Sequence, residues 1–242
     1  MAKNSAIKCE SLEFTYPDGN TALAGIDLEI GQGEKVALIG PNGAGKSTLF
    51  LQFNGILRGT GTITISEAIL SDETLTMIRR KVGVLFQDPN DQLFCPTVFD
   101  DVAFGPLHFG MPTHELKNLV AKSLADVGLT EFENKSSHHL SLGERKRVAI
   151  ASVLSCRPEI LLMDEPTANL DPRHRREIIN MLGDWSYTTF IATHDLDLAW
   201  DVCSRCIIIN RGKVMADGPC QEILKDNDLL KANDLELPLR FQ

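Results

Sequence analysis

Gly40-Pro-Asn-Gly-Ala-Gly-Lys-Ser47 follows the apolar run Lys35 to Ile39 and precedes the helix-compatible run Thr48 to Asn54. Strand, glycine-rich loop and helix in that order are the context in which the pattern G-x-x-x-x-G-K-[ST] cradles phosphate. Small residues let consecutive backbone N–H groups curl around anionic oxygens, and the helix behind the loop adds the positive end of its dipole. Lys46 is placed to reach β and γ phosphates, and the Ser47 hydroxyl to coordinate Mg²⁺. Gly40, Pro41, Asn42, Gly43, Ala44, Gly45, Lys46, Ser47 and Thr48 are therefore the candidate nucleotide-binding residues. The loop by itself leaves a nucleotide kinase, a GTPase and an ATPase all open.

Outward from this loop, short runs rich in Val and Ile alternate with longer stretches of helical period, the pattern of an α/β fold with a mostly parallel sheet. Buried strands are predicted at Lys35 to Ile39, Lys81 to Phe86, Ile160 to Asp164, Thr189 to Thr193 and Ile207 to Asn210. Upstream, Ile7 to Tyr16 and Leu23 to Ile30 flank the turn formers Pro17-Asp-Gly-Asn20, which predicts an antiparallel β region beside the parallel core. Between Asp88 and about Ser155 the strand signal vanishes, while Glu115 to Val127 and Gly143 to Leu154 carry helical periodicity. The pattern predicts a single P-loop NTPase domain, with a core lobe at about 1–87 and 156–242 and a helical subdomain inserted at about 88–155. Arg211-Gly212 between two strand-like runs predicts a terminal hairpin.

Composition narrows the partners. The chain has 242 residues, 43% of them apolar, enough for a substantial core. A net charge of −9 argues against a broad nucleic-acid footprint, which needs clustered Lys and Arg, so no nucleic acid is expected. Apolar stretches such as Val36-Ala-Leu-Ile39 and Ile160-Leu-Leu-Met163 fall far short of the roughly 20 residues that span a bilayer. The N-terminus shows no long apolar stretch of a secretory signal, so a cytoplasmic location is expected. Six scattered cysteines fit free thiols in a reducing compartment. Cys203-Ser-Arg-Cys206 has metal or redox spacing, but neither a second pair nor a nearby His completes a tetrahedral set, and ordinary packing is expected.

The remaining chemistry lies downstream. Ile160-Leu-Leu-Met-Asp164 is an apolar strand ending in a carboxylate, the position from which the Mg²⁺ shell is held. Glu165 follows directly, where a carboxylate can orient or deprotonate an attacking water and so separate hydrolysis from binding. His194, at the end of another predicted strand, can contact a γ-phosphate or hydrogen-bond that water, although a lone His is more often structural. Ser141 and Gly143 open a helix-like run, so hydroxyl, backbone N–H groups and dipole can face an anion. His138-His139 reads as a polar loop.

In order along the chain, the phosphate loop, Gln87, Leu140-Ser-Leu-Gly-Glu144, Asp164-Glu165, Ala168-Asn-Leu-Asp171 and Thr193-His194-Asp195 make six motifs. The set resembles the ATP-binding-cassette ATPases over essentially the whole chain. The resemblance implies ATP and Mg²⁺ as cofactors and hydrolysis involving Glu165, His194 and Lys46. It implies Gln87 as a Q-loop residue that touches Mg²⁺ beside Ser47 and Asp164, and Tyr16 as an aromatic that stacks on adenine; packing of Tyr16 on its own sheet is the alternative. It also implies a head-to-tail dimer, homomeric or heteromeric, in which Ser141, Gly143 and Glu144 of one chain face the ATP of the other. Leu142 and Glu144 depart from the family's usual L-S-G-G-Q; Ser141 and Gly143 are kept, and an active cassette is expected.

Asp88-Pro-Asn-Asp-Gln-Leu-Phe94 and Asp100-Asp-Val-Ala-Phe-Gly-Pro106 resemble the energy-coupling-factor branch, importers of cobalt, nickel and vitamins, in which a second glutamine, here Gln92, follows the Q-loop. The resemblance implies a transmembrane subunit contacted through Gln87 to Phe94 and a peripheral place on the cytoplasmic face of the membrane. Vitamin members often carry a longer C-terminal extension than the short segment after Gly212, which leans the expected substrate toward a transition metal, cobalt first. A soluble ATPase acting mechanically in repair or translation is the alternative; such proteins usually fuse two cassettes or insert long arms.

Overall fold

Along the strand before the glycine-rich loop, Val36 and Leu38 pack into one apolar core and Ala37 and Ile39 into another, because successive strand side chains point to opposite faces. Such a strand has to be covered on both sides, which dictates a layered α/β arrangement. The computed structural model describes residues 4–242. In chain order the first half runs β1 (Ser5–Thr15), β2 (Thr21–Gly31), β3 (Lys35–Ile39), α1 (Lys46–Phe53), β4 (Thr60–Ile65), β5 (Ala68–Ile69), α2 (Leu75–Lys81), β6 (Val82–Leu85), α3 (Val98–His108) and α4 (Thr113–Ala125). The second runs α5 (Leu142–Leu154), β7 (Ile160–Asp164), α6 (Pro172–Asp184), β8 (Thr188–Ala192), α7 (Leu196–Val202), β9 (Arg205–Asn210), β10 (Lys213–Pro219), α8 (Cys220–Ile223) and α9 (Asn227–Ala232).

Two sheets form. The core sheet has the order β10-β9-β3-β8-β7-β6, parallel except for β10, which returns antiparallel to β9 through the Arg211-Gly212 hairpin. The second, β2-β1-β4-β5, is antiparallel throughout. Helix α1 lies between them, with Leu49, Phe50 and Phe53 in the same core as Ile7, Leu23 and Ile26. The opposite face of the core sheet is covered by helices, through Val102, Val120, Ile150, Ile178 and Leu198.

The strands match the expected α/β pattern with small shifts. The predicted strand at Ile207 begins earlier, at Arg205, because Arg205 still pairs with Val36 and Pro219. The helix predicted from Glu115 starts at Thr113, just after Pro112 fixes an extended entry. Helix α3 was not legible, since Gly105 and Pro106 interrupt its period. His138-His139 belong to a 3₁₀ turn at Ser137–His139 rather than an open loop. Cys203 and Cys206 are both buried in the helix-side core.

Candidate functional site

Four neighbouring strands, β3, β8, β7 and β6, end at one edge of the core sheet. Their carboxyl ends deliver the glycine-rich loop, Thr193-His194, Asp164-Glu165 and, two residues beyond β6, Gln87. Ligand sites in open parallel sheets sit outside such ends. Here the residues line a cavity of about 450 Å³, with Tyr16 at one wall and Asn42 to Thr48, Gln87, Asp164, Glu165 and His194 around the rest.

The loop is built for close backbone approach. Gly45 has φ +107, and a Cβ there would lie 2.4 Å from the carbonyl oxygen of Ala22. Lys46 opens α1 and bends back over its own loop, its Nζ donating to the carbonyls of Gly40 at 2.7 Å and Pro41 at 3.0 Å. The Ser47 side chain favours the ionised form of the Asp164 carboxyl, against the effect of burial. Tyr16 meets α1 through a hydroxyl contact of 2.9 Å with Thr48 Oγ1, and its ring lies edge-on to Phe14 at 4.9 Å.

Glu165 is held in the left-handed backbone region at φ 46, a conformation that strains a side chain of its size. It is only 6% exposed. Its Oε2 accepts from the Thr193 hydroxyl at 3.3 Å and the His194 N–H at 3.2 Å, while Oε1 is buried without a hydrogen-bond partner among the described residues. His194 Nε2 stands 3.4 Å from that oxygen and 3.3 Å from Lys46 Nζ. A buried carboxylate oxygen with no donor is rare and marks a place where a water or ligand group fits.

Burial pushes all four ionisable groups toward their neutral forms. It raises the carboxyl groups of Asp164 and Glu165 above their ordinary range despite nearby Lys46. It lowers Lys46 against the pull of Glu165 and Asp164, and lowers His194, with Lys46 adding to the effect. A site of this kind suits a strongly charged ligand that brings both signs. Backbone N–H groups and Lys46 fit phosphate, and the hard oxygen donors of Ser47, Gln87 and Asp164 fit Mg²⁺.

Ser141, Gly143 and Glu144 are not among the residues lining this cavity. They sit at the start of α5, where the Glu144 carboxylate accepts from the Ser141 N–H at 2.8 Å and hydroxyl at 2.7 Å. The Ser141 hydroxyl oxygen in turn accepts the Glu144 N–H, completing a capping box. Gly143 has no room for a Cβ, which would lie 2.7 Å from the His174 ring, and His174 Nδ1 contacts the Asp171 carboxylate at 2.5 Å. The Ala168-Asn-Leu-Asp171 segment is thereby linked to the Ser141 helix within one chain.

The sequence reading missed other supports. Asp195 accepts from Arg175 Nε at 2.6 Å, Arg175 Nη2 at 2.5 Å and Thr167 Oγ1 at 3.0 Å, fixing the turn that carries His194. These residues are distant in sequence and leave no local signal. Lys146 is fully buried in α5, its pKa pushed down to about 8 by burial, and its Nζ donates to the Gln87 carbonyl at 2.5 Å. Its signal was present, since it shares a helical stripe with Ile150 and Val153. Gln92 points inward: its amide donates to the Ala149 carbonyl at 2.7 Å and Ser152 Oγ at 2.9 Å, bracing the segment after Gln87 against α5. Beside it, Phe94 and Phe104 are largely exposed and meet edge-to-face at 5.0 Å on a groove of about 330 Å³.

The sequence profile of the family described as ABC transporter matches residues 23–168. The energy-coupling factor transporter ATP-binding protein EcfA of Methanothermobacter thermautotrophicus is 46% identical over 96% of this chain and 76% of its own length. The protein of that name from Methanocaldococcus jannaschii is 45% identical over 96% of this chain and 85% of its own. Among solved structures, cbiO1 from Clostridium perfringens, described as part of the ABC transporter complex cbiONQ, superposes with a TM-score of 0.83 at 37% identity, covering 95% of this chain and 94% of that one. The dimeric ATP-binding cassette MJ0796 in a post-hydrolysis state, bound to ADP and Pi, gives 0.79 at 32% identity, covering 88% and 98%. With its phosphate loop, paired carboxylates and histidine converging on one sheet edge, the chain belongs to the ABC transporter family and is one of its ATPases.

Proposed function

We propose that this chain is the ATP-hydrolysing subunit of an energy-coupling-factor-type importer, working as one of a pair of ATPase chains beneath a transmembrane subunit on the cytoplasmic face of the membrane. The observation that carries the catalytic part is Glu165, whose buried Oε1 accepts no hydrogen bond among the described residues and faces His194 in the cavity of Lys46, Ser47, Gln87 and Asp164. Gly40 to Thr48 bind the phosphates of ATP, with Lys46 leaving its loop carbonyls for the β and γ oxygens, and Tyr16 meets the adenine. Ser47, Gln87 and Asp164 hold Mg²⁺, which supplies charge neutralisation on the phosphates when bound. Glu165 positions and deprotonates the attacking water, and His194 holds that water and the γ-phosphate in place.

Ser141, Gly143 and Glu144 lie apart from the chain's own cavity, which supports their acting on a second chain, either another copy or a different ABC ATPase. We take 88–155 as a helical subdomain whose outer face, with Gln87 to Phe94 and Phe104, meets the membrane subunit. The energy-coupling-factor names of the relatives support the branch. For the transported substrate we favour a transition metal ion, cobalt first and nickel next, over a vitamin, in keeping with likeness to the cbiO1 chain.

Phosphate release by the purified chain with Mg·ATP tests the reading. Glu165→Gln is expected to bind ATP while turnover falls about 10²- to 10⁴-fold, the usual span for loss of a positioned base, and to accumulate an ATP-dependent dimer by size exclusion. Wild-type turnover in that variant would remove Glu165 from the role.

A further inference from the structure

Lys146 stands in the second turn of α5, 1% exposed, on the face that carries Ile150 and Val153 into the core. Lysines are almost never buried so deeply unless the charge is answered. Nζ donates a hydrogen bond to the main-chain oxygen of Gln87 at 2.5 Å, and Asp164, Glu165 and Asp88 lie near enough to attract its charge. Gln87 follows the end of β6, whose last sheet pair is Leu85 with Met163, and precedes the turn capped by Asp88. Between those two anchors, Lys146 is what grips the Gln87 backbone.

The cation answers groups at the edge of the site: without it the Gln87 carbonyl would lose its donor, and Asp164, Glu165 and Asp88 would lose the charge that attracts them. We propose that Lys146 is a positioning residue for ATP hydrolysis: it ties the Gln87 carbonyl to the helix that begins at Ser141, so that displacement of that helix moves the Gln87 side chain at the edge of the nucleotide cavity. The inference rests on the reading of Gln87 as a Mg·ATP residue. Lys146 links the helix directly to the Gln87 main chain, whereas Gln92 ties α5 to the residue before Gln87, accepting the Phe86 N–H at 3.3 Å, and Arg145 braces the turn beyond through Asn90.

The test uses the full chain as wild type, Lys146→Met and Lys146→Arg. Three quantities are measured: affinity for a fluorescent ATP analogue, kcat, and hydrogen exchange in the peptide 86–92. Lys146→Met is expected to keep nucleotide affinity within twofold, lose about tenfold in kcat, the lower range for misplaced groups near the chemistry, and exchange faster in 86–92 while α5 stays protected. Lys146→Arg, which keeps the donor and the charge, is expected to recover at least half of each effect on a logarithmic scale. Wild-type kcat and exchange in Lys146→Met would overturn the proposal, and so would a parallel loss of affinity and α5 protection in both variants, which is general damage. Should Lys146→Met fail to fold, Lys146→Leu, which likewise has no donor, is read in its place by the same criteria. A wild-type chain with no Mg·ATP hydrolysis would instead sink the functional reading itself.

Discussion

Gly45 is where a single atom decides between a phosphate cradle and a clash. Its φ of +107 is unfavourable for any side chain, and a Cβ would press on the Ala22 carbonyl oxygen at 2.4 Å and meet the Leu23 side chain at 3.1 Å. Gly45→Ala is therefore expected to destabilise the fold by about 1–3 kcal/mol from backbone strain alone, and to weaken ATP binding more than tenfold; urea denaturation and nucleotide titration check both. Glu165 accepts comparable strain at φ 46 without being glycine, and holds it because Thr193 and the His194 N–H pin its carboxylate. Of these residue-scale features, the identity of Lys46, Ser47, Asp164 and Glu165 was legible from spacing, whereas the strain and the orphaned oxygen were not, since both depend on the packing of β7 against β8.

Between residues and the whole chain, helix α6 is tied to α7 by Arg176 with Asp201 and, at the start of α7, by the less exposed pair Arg175 with Asp195. Burial works to raise the Asp195 carboxyl, but hydrogen bonds from Arg175, the Leu198 N–H and Thr167 outweigh it and hold the carboxyl below its ordinary value. A depressed carboxyl stabilises the fold above its unfolded pKa, and that contribution is lost as pH falls through the folded value. Arg175→Met is thus expected to cost about 1–3 kcal/mol at pH 7, the range for a charged hydrogen bond in a partly exposed pair. The difference from wild type shrinks as pH enters the carboxylate range. Denaturation of both proteins across that range measures it, and a pH-independent difference would mean that Arg175 acts by packing alone. At the same scale, the charge of Glu144 was visible in the sequence as a departure from the family pattern. Its consequence is local: the carboxylate turns back onto Ser141 and satisfies the helix start within its own chain.

At the scale of the whole molecule, the nucleotide cavity lies at the strand ends and an aromatic groove, the docking face proposed above, lies on the helical side. Phe94 and Phe104 are 62% and 51% exposed, large apolar rings that a lone soluble chain has no reason to display together. Phe104→Asp is expected to abolish co-purification with the transmembrane subunit while basal ATP hydrolysis stays within about twofold, since surface substitutions away from packed features change little. Retained assembly would move the docking face elsewhere. By itself the sequence determined the nucleotide chemistry and the α/β class, because the phosphate loop, the strand-ending carboxylates and the strand periods are local patterns with local causes. Only the tertiary structure decided that Gln87, Asp164, Glu165 and His194 share one cavity with the loop, that Ser141 and Gly143 do not, and that Lys146 grips Gln87. Those facts follow from the order in which distant strands pair and from how α5 packs across them, and no local pattern of residues encodes strand order.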